Sequence, residues 1–142
     1  MTESGTPTPG QDNGRADRHV LTLDLKDDPA TIEAYRTYHA EVWPEVASSL
    51  RNAGVLQLDI YLLGRRLVMI VELQSSRDLR RVFEEHASSH PRVVEWERLM
   101  ASFQQPAPGA RPGEWWGLME PICRLSGQSE PDTAALKPIG NP

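Results

Sequence analysis

The residue types with the clearest chemical potential lie together in residues 35–45 of the chain. This segment reads Tyr-Arg-Thr-Tyr-His-Ala-Glu-Val-Trp-Pro-Glu, and so places one imidazole among three aromatic rings and a proline. Histidine has an unperturbed pKa of about 6.5, which lets it donate or accept a proton near neutral pH. The segment therefore predicts an acid–base site, with His39 as the group that moves the proton.

The spacing of apolar and aromatic residues predicts that this segment is helical. They recur in steps of three and four together with the histidine, at positions 32, 35, 39, 42, 46 and 50, and such positions share one face of a helix. Tyr35 and His39 are one turn apart on that face, so their rings should lie side by side. Taken alone, a histidine on an apolar face is more often a core residue bonded to a backbone carbonyl, and the spacing leaves that interpretation open.

Pro44 interrupts the helical pattern just after the histidine. A proline inside a helix removes a backbone hydrogen bond and clashes with the preceding turn, at a cost of about 3 kcal/mol. It also disfavours helical angles at the residue before it, Trp43. We expect the helix to kink or restart here and to open a pocket beside His39, although a plain helix boundary would have the same pattern.

Six elements would position this segment. The patterns predict a strand at 19–25, a helix from Pro29 to a stop at 52–54, strands at 55–63 and 66–73, a helical element in two stretches at 75–86 and 91–103, and a strand at 115–125. The order β-α-β-β-α-β is typical of the α+β class and its ferredoxin-like split βαβ sheet. Helices then cover one sheet face, and we expect a second copy of the chain to cover the other, giving a homodimer.

Composition limits the class of protein. The chain has 142 residues, a net charge of −5 and 39% hydrophobic residues, which suits one soluble domain. Acidic side chains outnumber basic ones and the basic residues form no cluster, which argues against a nucleic-acid partner. No apolar run reaches the ~18–20 residues that span a membrane. The single cysteine, Cys123, excludes an internal disulfide and a cysteine-cluster zinc site, and together with the absence of a secretory stretch it favours a cytoplasmic location.

Both ends of the chain differ from its centre. Residues 1–18 and 126–142 are rich in proline and glycine and have no apolar periodicity, so they cannot offset the entropy of ordering them. We expect two disordered tails around one domain at 19–125.

Other candidate residues are weaker. Trp96 belongs to a helical stripe whose plain interpretation is core packing, although aromatic faces also suit the apolar C–H surfaces of sugars. His86 and His90 have the spacing of a helical metal pair but lack the glutamate of the zinc-protease motif. We therefore expect a solvated helix end there and predict no metal site.

These segments together resemble the L-rhamnose mutarotase family. The resemblance rests on Tyr35-x3-His39-x3-Trp43-Pro44-Glu45, then Asp59-Ile60-Tyr61-Leu62, Val71-Glu72 and Trp96-x3-Met100, and it extends over residues 20–125. It implies a ferredoxin-like dimeric α/β barrel. It also implies an enzyme that interconverts the α and β anomers of a 6-deoxy sugar with no cofactor and no metal.

The resemblance also assigns roles to individual residues. It makes His39 the catalytic proton donor, Tyr35 a substrate-binding residue and Trp96 the first member of a tryptophan pair. We expect Tyr61 and Trp43 to line the pocket. The chain departs from the rhamnose pattern at two substrate-binding positions, where Leu58 replaces a tyrosine and Glu97 the second tryptophan. The run 96–106 is more similar to members associated with L-fucose, so L-fucose is the expected substrate and L-rhamnose the next.

The expected reaction needs only acid–base chemistry. Opening a pyranose takes a proton from the anomeric hydroxyl and places one on the ring oxygen, and a group with a pKa near 6.5 can do both. His39 would carry this out, with Tyr35 as hydrogen-bonding partner or second relay group. Two alternatives remain: a non-catalytic dimeric barrel that binds a ligand, and, by fold analogy alone, a cofactor-free or haem-handling oxygenase.

Overall fold

The computed structural model describes residues 17–126. Its elements are β1 (Asp17–Leu25), α1 (Pro29–Ala40), α2 (Pro44–Ala53), β2 (Val55–Leu63), β3 (Arg66–Leu73), α3 (Leu79–Ala87), α4 (Pro91–Phe103), β4 (Gln104–Gln105) and β5 (Gly117–Leu118). Apart from residues 17, 18 and 126, the two expected tails lie outside the described residues. None of the helices described is long and apolar enough to cross a membrane. The cytoplasmic location stays a prediction.

The strands form one antiparallel sheet. Its order is β2-β3-β1-β4, and β5 pairs with the same side of β1 as β4 does. This is the order of a ferredoxin-like fold, which confirms the predicted α+β class. The register pairs Leu23 with Leu67 and Ile60 with Met69, so these side chains lie on one face, beneath the helices.

Alternation along β1 separates the two faces of the sheet. Leu21, Leu23 and Leu25 are buried, as predicted, against the helices. The opposite face, which we call the open face, carries half-buried Thr22 and also Asp24, which is buried although it is charged. Asp24 tolerates burial because the guanidinium of Arg66 donates to it, with Nε 2.6 Å from Oδ1.

The predicted break at Pro44 is confirmed. Helix α1 ends at Ala40, and Pro44 occupies the first turn of α2, where its missing N–H costs nothing. Trp43 is the N-cap of α2, with φ −59° and ψ 138°, outside the helical region. Val42, expected on the apolar face, lies in the break instead and is 39% exposed.

Two predicted boundaries are wrong. Helix α3 begins at Leu79 and not near residue 75, because the Asp78 side chain accepts the N–H of Arg81 and so caps the helix at that point. Strand β1 already includes Asp17, the first described residue, two residues before the predicted start.

The predicted last strand at 115–125 is also wrong. Only Gly117–Leu118 pairs with β1, and Gln104–Gln105 takes another part of the same edge. Ile122 and Leu125 lie outside the strands and are 89% and 84% exposed, so the apolar residues that suggested a strand here are not buried. Trp115 is exposed while Trp116 packs against the core, as expected for neighbouring residues that face different ways.

Candidate active site

His39 lies in the last turn of α1, where the helix meets the break before Pro44. Tyr35, one turn earlier, is buried at 4% exposure in a core cluster. That cluster joins β1 and β3 to α1, α2 and α4 through Leu23, Leu25, Tyr35, Val46, Leu67, Val93, Trp96 and Met100. The half-buried imidazole therefore lies at the edge of this cluster, on the side of the sheet that the helices cover and not on the open face.

The hydrogen bond of His39 defines which ring nitrogen can react. Nδ1 is 2.9 Å from the backbone carbonyl oxygen of Tyr35. A carbonyl oxygen only accepts, so Nδ1 carries the proton and the neutral ring has its lone pair on Nε2. Within residues 17–126 no hydrogen bond engages Nε2. This nitrogen is therefore free to take a proton from a ligand.

The surroundings of His39 favour the neutral ring. Burial lowers its pKa below the usual 6.5, and the hydrogen bond to the Tyr35 carbonyl opposes this only in part. The imidazole is therefore mostly unprotonated at neutral pH, which is the form that a general base needs.

Planar groups follow one another through the site, and we call them the planar row. The Tyr35 and His39 rings are stacked, with centroids 4.2 Å apart and planes inclined by 27°. The His39 ring meets Trp96 at 5.2 Å and Trp96 meets Trp43 at 5.1 Å, both edge to face. The guanidinium carbon of Arg92 lies 3.8 Å from the centre of the Trp43 ring. The row thus runs Tyr35, His39, Trp96, Trp43, Arg92.

Exposure differs along the planar row and limits what each member can do. His39 and Trp43 are partly exposed, whereas Trp96 is buried at 4% exposure. Trp96 therefore lies behind His39 and Trp43. The structure does not present its indole as the open stacking surface that the sequence suggested.

The phenol of Tyr35 is held by a residue that the sequence did not single out. Gln104, itself buried, donates from Nε2 to the Tyr35 hydroxyl over 3.4 Å. Burial raises the pKa of Tyr35 to about 12, against the effect of this hydrogen bond. The phenol therefore stays neutral near pH 7. No local pattern marks Gln104, which follows α4 directly.

Three predicted site residues lie elsewhere. Tyr61 is 60% exposed on the open face, opposite Val68 in the register. Leu58 packs against a second core cluster that contains Val71 and Leu73. Glu97 points towards α3, with Oε2 3.5 Å from Nε2 of His86. The structure brings together Tyr35, His39, Trp43 and Trp96, but not these three.

A second polar group, which the sequence did not predict, ties α2 to α3. His86 is buried at 3% exposure, so its expected place at a solvated helix end is wrong. Its Nδ1 is 2.8 Å from Ser49 Oγ, which is 2.7 Å from Ser89 Oγ. A cavity of about 450 Å³ lies beside them, lined by none of the planar row. Of its lining residues, Ser49, His86 and Ser89 already bond to one another through their side chains.

Among residues 17–126, no three histidine, cysteine or acidic side chains lie close enough to hold a metal ion. His90 caps α4 instead, accepting the N–H of Arg92 at Nδ1.

The fold and this site define a ferredoxin-like α+β protein with a free imidazole nitrogen beside aromatic rings. The family model of L-rhamnose mutarotase matches residues 18–125 of the chain. An L-fucose mutarotase of Xanthomonas campestris is 44% identical over 111 residues, covering 77% of this chain and 88% of that protein. The chain therefore belongs to the L-rhamnose mutarotase family, and it is a carbohydrate isomerase.

Two further comparisons extend this result. An L-rhamnose mutarotase of Burkholderia ambifaria is 25% identical over 111 residues, covering 78% of this chain and 86% of that protein. The crystal structure of an L-rhamnose mutarotase from Formosa agariphila matches with a TM-score of 0.55 and 19% identity, over 78% of this chain and 99% of that one. At this identity the structural match supports the fold.

Proposed function

We propose that the protein interconverts the α and β anomers of a 6-deoxy-hexose, L-fucose in preference to L-rhamnose, with His39 as the catalytic acid and base. The observation that carries this proposal is the free Nε2 of His39, whose Nδ1 proton is held by the Tyr35 carbonyl. The preference for L-fucose is supported by 44% identity to an L-fucose mutarotase against 25% to an L-rhamnose mutarotase.

A single imidazole suffices for the proposed reaction. Nε2 takes the proton of the anomeric hydroxyl, the electron pair left on that oxygen forms the carbonyl, and the bond from C1 to the ring oxygen breaks. The ring oxygen leaves with the bonding pair and receives the proton back from the imidazolium. Rotation about C1–C2 presents the other carbonyl face, and the same steps in reverse close the ring. Both oxygens are attached to C1, so one nitrogen can reach each in turn.

Tyr35 supports this reaction as a positioning residue. Its ring stacks on the imidazole and its carbonyl holds the Nδ1 proton. With its pKa raised to about 12, the phenol is a poor proton donor at neutral pH. We therefore propose the hydrogen-bonding role for Tyr35 and not that of second relay group.

The charges near the planar row favour an uncharged sugar. Arg92, the cation at the end of the row, is 3.0 Å from Glu95 and 3.9 Å from Glu45. Two carboxylates thus lie within 4 Å of this one cation, and they would oppose the approach of a phosphorylated sugar. The indole of Trp43, which is partly exposed, offers an apolar surface for sugar C–H groups.

We further propose that the protein is a homodimer through the open face. Val20, Val68 and Ile70 are half-buried there, and Tyr61 and Leu63 are 60% and 83% exposed. A contiguous apolar surface of this kind marks an interaction site. A second copy of the same sheet face is its natural complement.

The function is tested by saturation-transfer NMR of anomer exchange, run in parallel on L-fucose, L-rhamnose and D-glucose. We expect the largest acceleration for L-fucose and a loss of about 10²-fold or more for His39→Asn, the scale of general acid–base catalysis. His86→Asn is the matched control, since it removes a buried histidine outside the planar row and leaves Nε2 of His39 in place.

Three outcomes would contradict the proposal. Exchange at the wild-type rate in His39→Asn would remove the proton-transfer role from that residue. A larger loss in His86→Asn, per folded molecule, would move the chemistry to the α2–α3 cavity. Equal acceleration of all three sugars, or of none, would overturn the substrate preference.

A further inference from the structure

Trp43 lies against two residues of α4 that are one helical turn apart. Its indole meets Trp96 at a centroid distance of 5.1 Å and the guanidinium carbon of Arg92 at 3.8 Å. Residues four apart in a helix lie one above the other on the same face. Arg92 and Trp96 therefore both contact this indole from α4.

Trp43 depends on such contacts because its backbone environment is irregular. It lies in the break between Ala40 and Pro44, with ψ 138°, and its side chain makes no capping hydrogen bond. A side chain on a break has no neighbouring helical turn of its own to limit its rotamers. The indole packs against the edge of the core cluster, and its two ring contacts, to Trp96 and Arg92, come from α4.

Arg92 is well suited to this role because its own position is defined. Its Nη1 donates to Glu95 over 3.0 Å, and its Nε is 3.9 Å from Glu45, which follows Pro44 in α2. A guanidinium is planar and weakly hydrated, so it stacks on an indole while its edge remains bonded to carboxylates.

We propose that Arg92 is a positioning residue for sugar binding: it stacks on Trp43 and holds that indole as the wall of the site beside His39. This inference rests on the proposed function. Arg92 does not touch the reacting atoms, and it acts on substrate affinity through Trp43, leaving the proton transfer at His39 unchanged.

The experiment combines a direct measurement of Trp43 with kinetics. The full chain is labelled with 5-fluorotryptophan, and the Trp43 resonance is assigned from a Trp43→Phe variant. We expect Arg92→Ala to shift or broaden this resonance. We expect the same variant to raise KM for L-fucose about two- to fivefold, the contribution of a partly exposed cation–π contact, with kcat nearly unchanged.

Two matched variants separate this role from a general structural one. Arg92→Lys keeps the charge but not the planar stack, and we expect its KM to fall between the wild-type and Arg92→Ala values. Arg98→Ala removes another arginine of α4, which is exposed and outside the planar row, and we expect neither readout to change.

The possible results distinguish this inference from the proposed function. An unmoved Trp43 resonance, or an unchanged KM in Arg92→Ala, overturns the inference, as does an equal KM increase in Arg98→Ala. A fall in kcat at constant KM also overturns it. Should the wild-type protein accelerate no anomer exchange, the proposed function fails, and the fluorine resonance alone then decides whether Arg92 holds Trp43.

Discussion

The imidazole of His39 is bound twice by the same residue, Tyr35. The two rings stack with centroids 4.2 Å apart, and the Tyr35 carbonyl accepts the Nδ1 proton over 2.9 Å. Both contacts follow from the i, i+4 spacing in one helix. One tyrosine thus orients the ring, determines its tautomer and leaves Nε2 as the reactive nitrogen.

The pH dependence of anomer exchange should report the lowered pKa of His39. Burial lowers the pKa of the imidazole and favours the neutral base, so the midpoint of the fall in kcat/KM at acid pH should lie below pH 6.5. The measurement is the saturation-transfer rate from pH 4.5 to 8. This fall in rate at acid pH should be absent from the residual activity of His39→Asn. A midpoint at or above pH 6.5 would contradict the environment described for this ring.

Tyr35→Phe separates the ring of Tyr35 from its hydroxyl. The variant keeps the stack and the carbonyl, so we expect exchange to fall less than about tenfold, well short of the loss in His39→Asn. Gln104→Leu removes the partner of the same hydroxyl. The effects of the two changes should not add in the double variant. A Tyr35→Phe variant as slow as His39→Asn would instead make the phenol the second relay group.

The open face should control the oligomeric state. Light scattering after gel filtration should give twice the 15.9 kDa of one chain. Val68→Asp, at the centre of that face, should shift the mass towards the monomer because it places a charge in the apolar contact. Ile122→Asp is the control, since Ile122 is 89% exposed and lies outside the strands. A wild-type monomer, or dissociation in both variants, would rule out this interface.

The Asp24–Arg66 pair should make stability depend on pH. The hydrogen bond from Arg66, together with the charges of Arg66 and Arg65, lowers the pKa of Asp24 below 3.8, although burial opposes this. The stabilisation is therefore complete above pH 3.8 and is lost as the pH falls through the folded-state pKa. In urea unfolding, Asp24→Asn should be less stable than the wild type at pH 7, by a margin that shrinks below pH 3.8.

A control for that measurement is the exposed pair between Arg18 and Glu72, whose closest atoms are 3.2 Å apart. Arg18→Ala should change stability little at any pH, because exposed ion pairs contribute little. A difference between wild type and Asp24→Asn that does not vary with pH would show that the carboxylate charge is not what stabilises this position.

The local spacing of residue types was sufficient to predict most of the fold. The hairpin of β2 and β3, the proline starts of α1 and α4 and the break before Pro44 all follow from residue type and period. The stacking of Tyr35 on His39 was predictable for the same reason, since both residues lie within one helix. The last strand was not predictable, because pairing at the edge of β1 depends on which segments reach it.

The sequence by itself determined the order of elements as far as α4, the helix break and the neighbours of His39 within α1. Only the tertiary structure decided that Glu97 faces His86, that Gln104 holds Tyr35 and that Tyr61 lies on the open face. The physical reason is distance along the chain. Contacts within one helix follow from its period, whereas contacts between elements depend on packing and on strand register, where a shift of one residue exchanges the two faces.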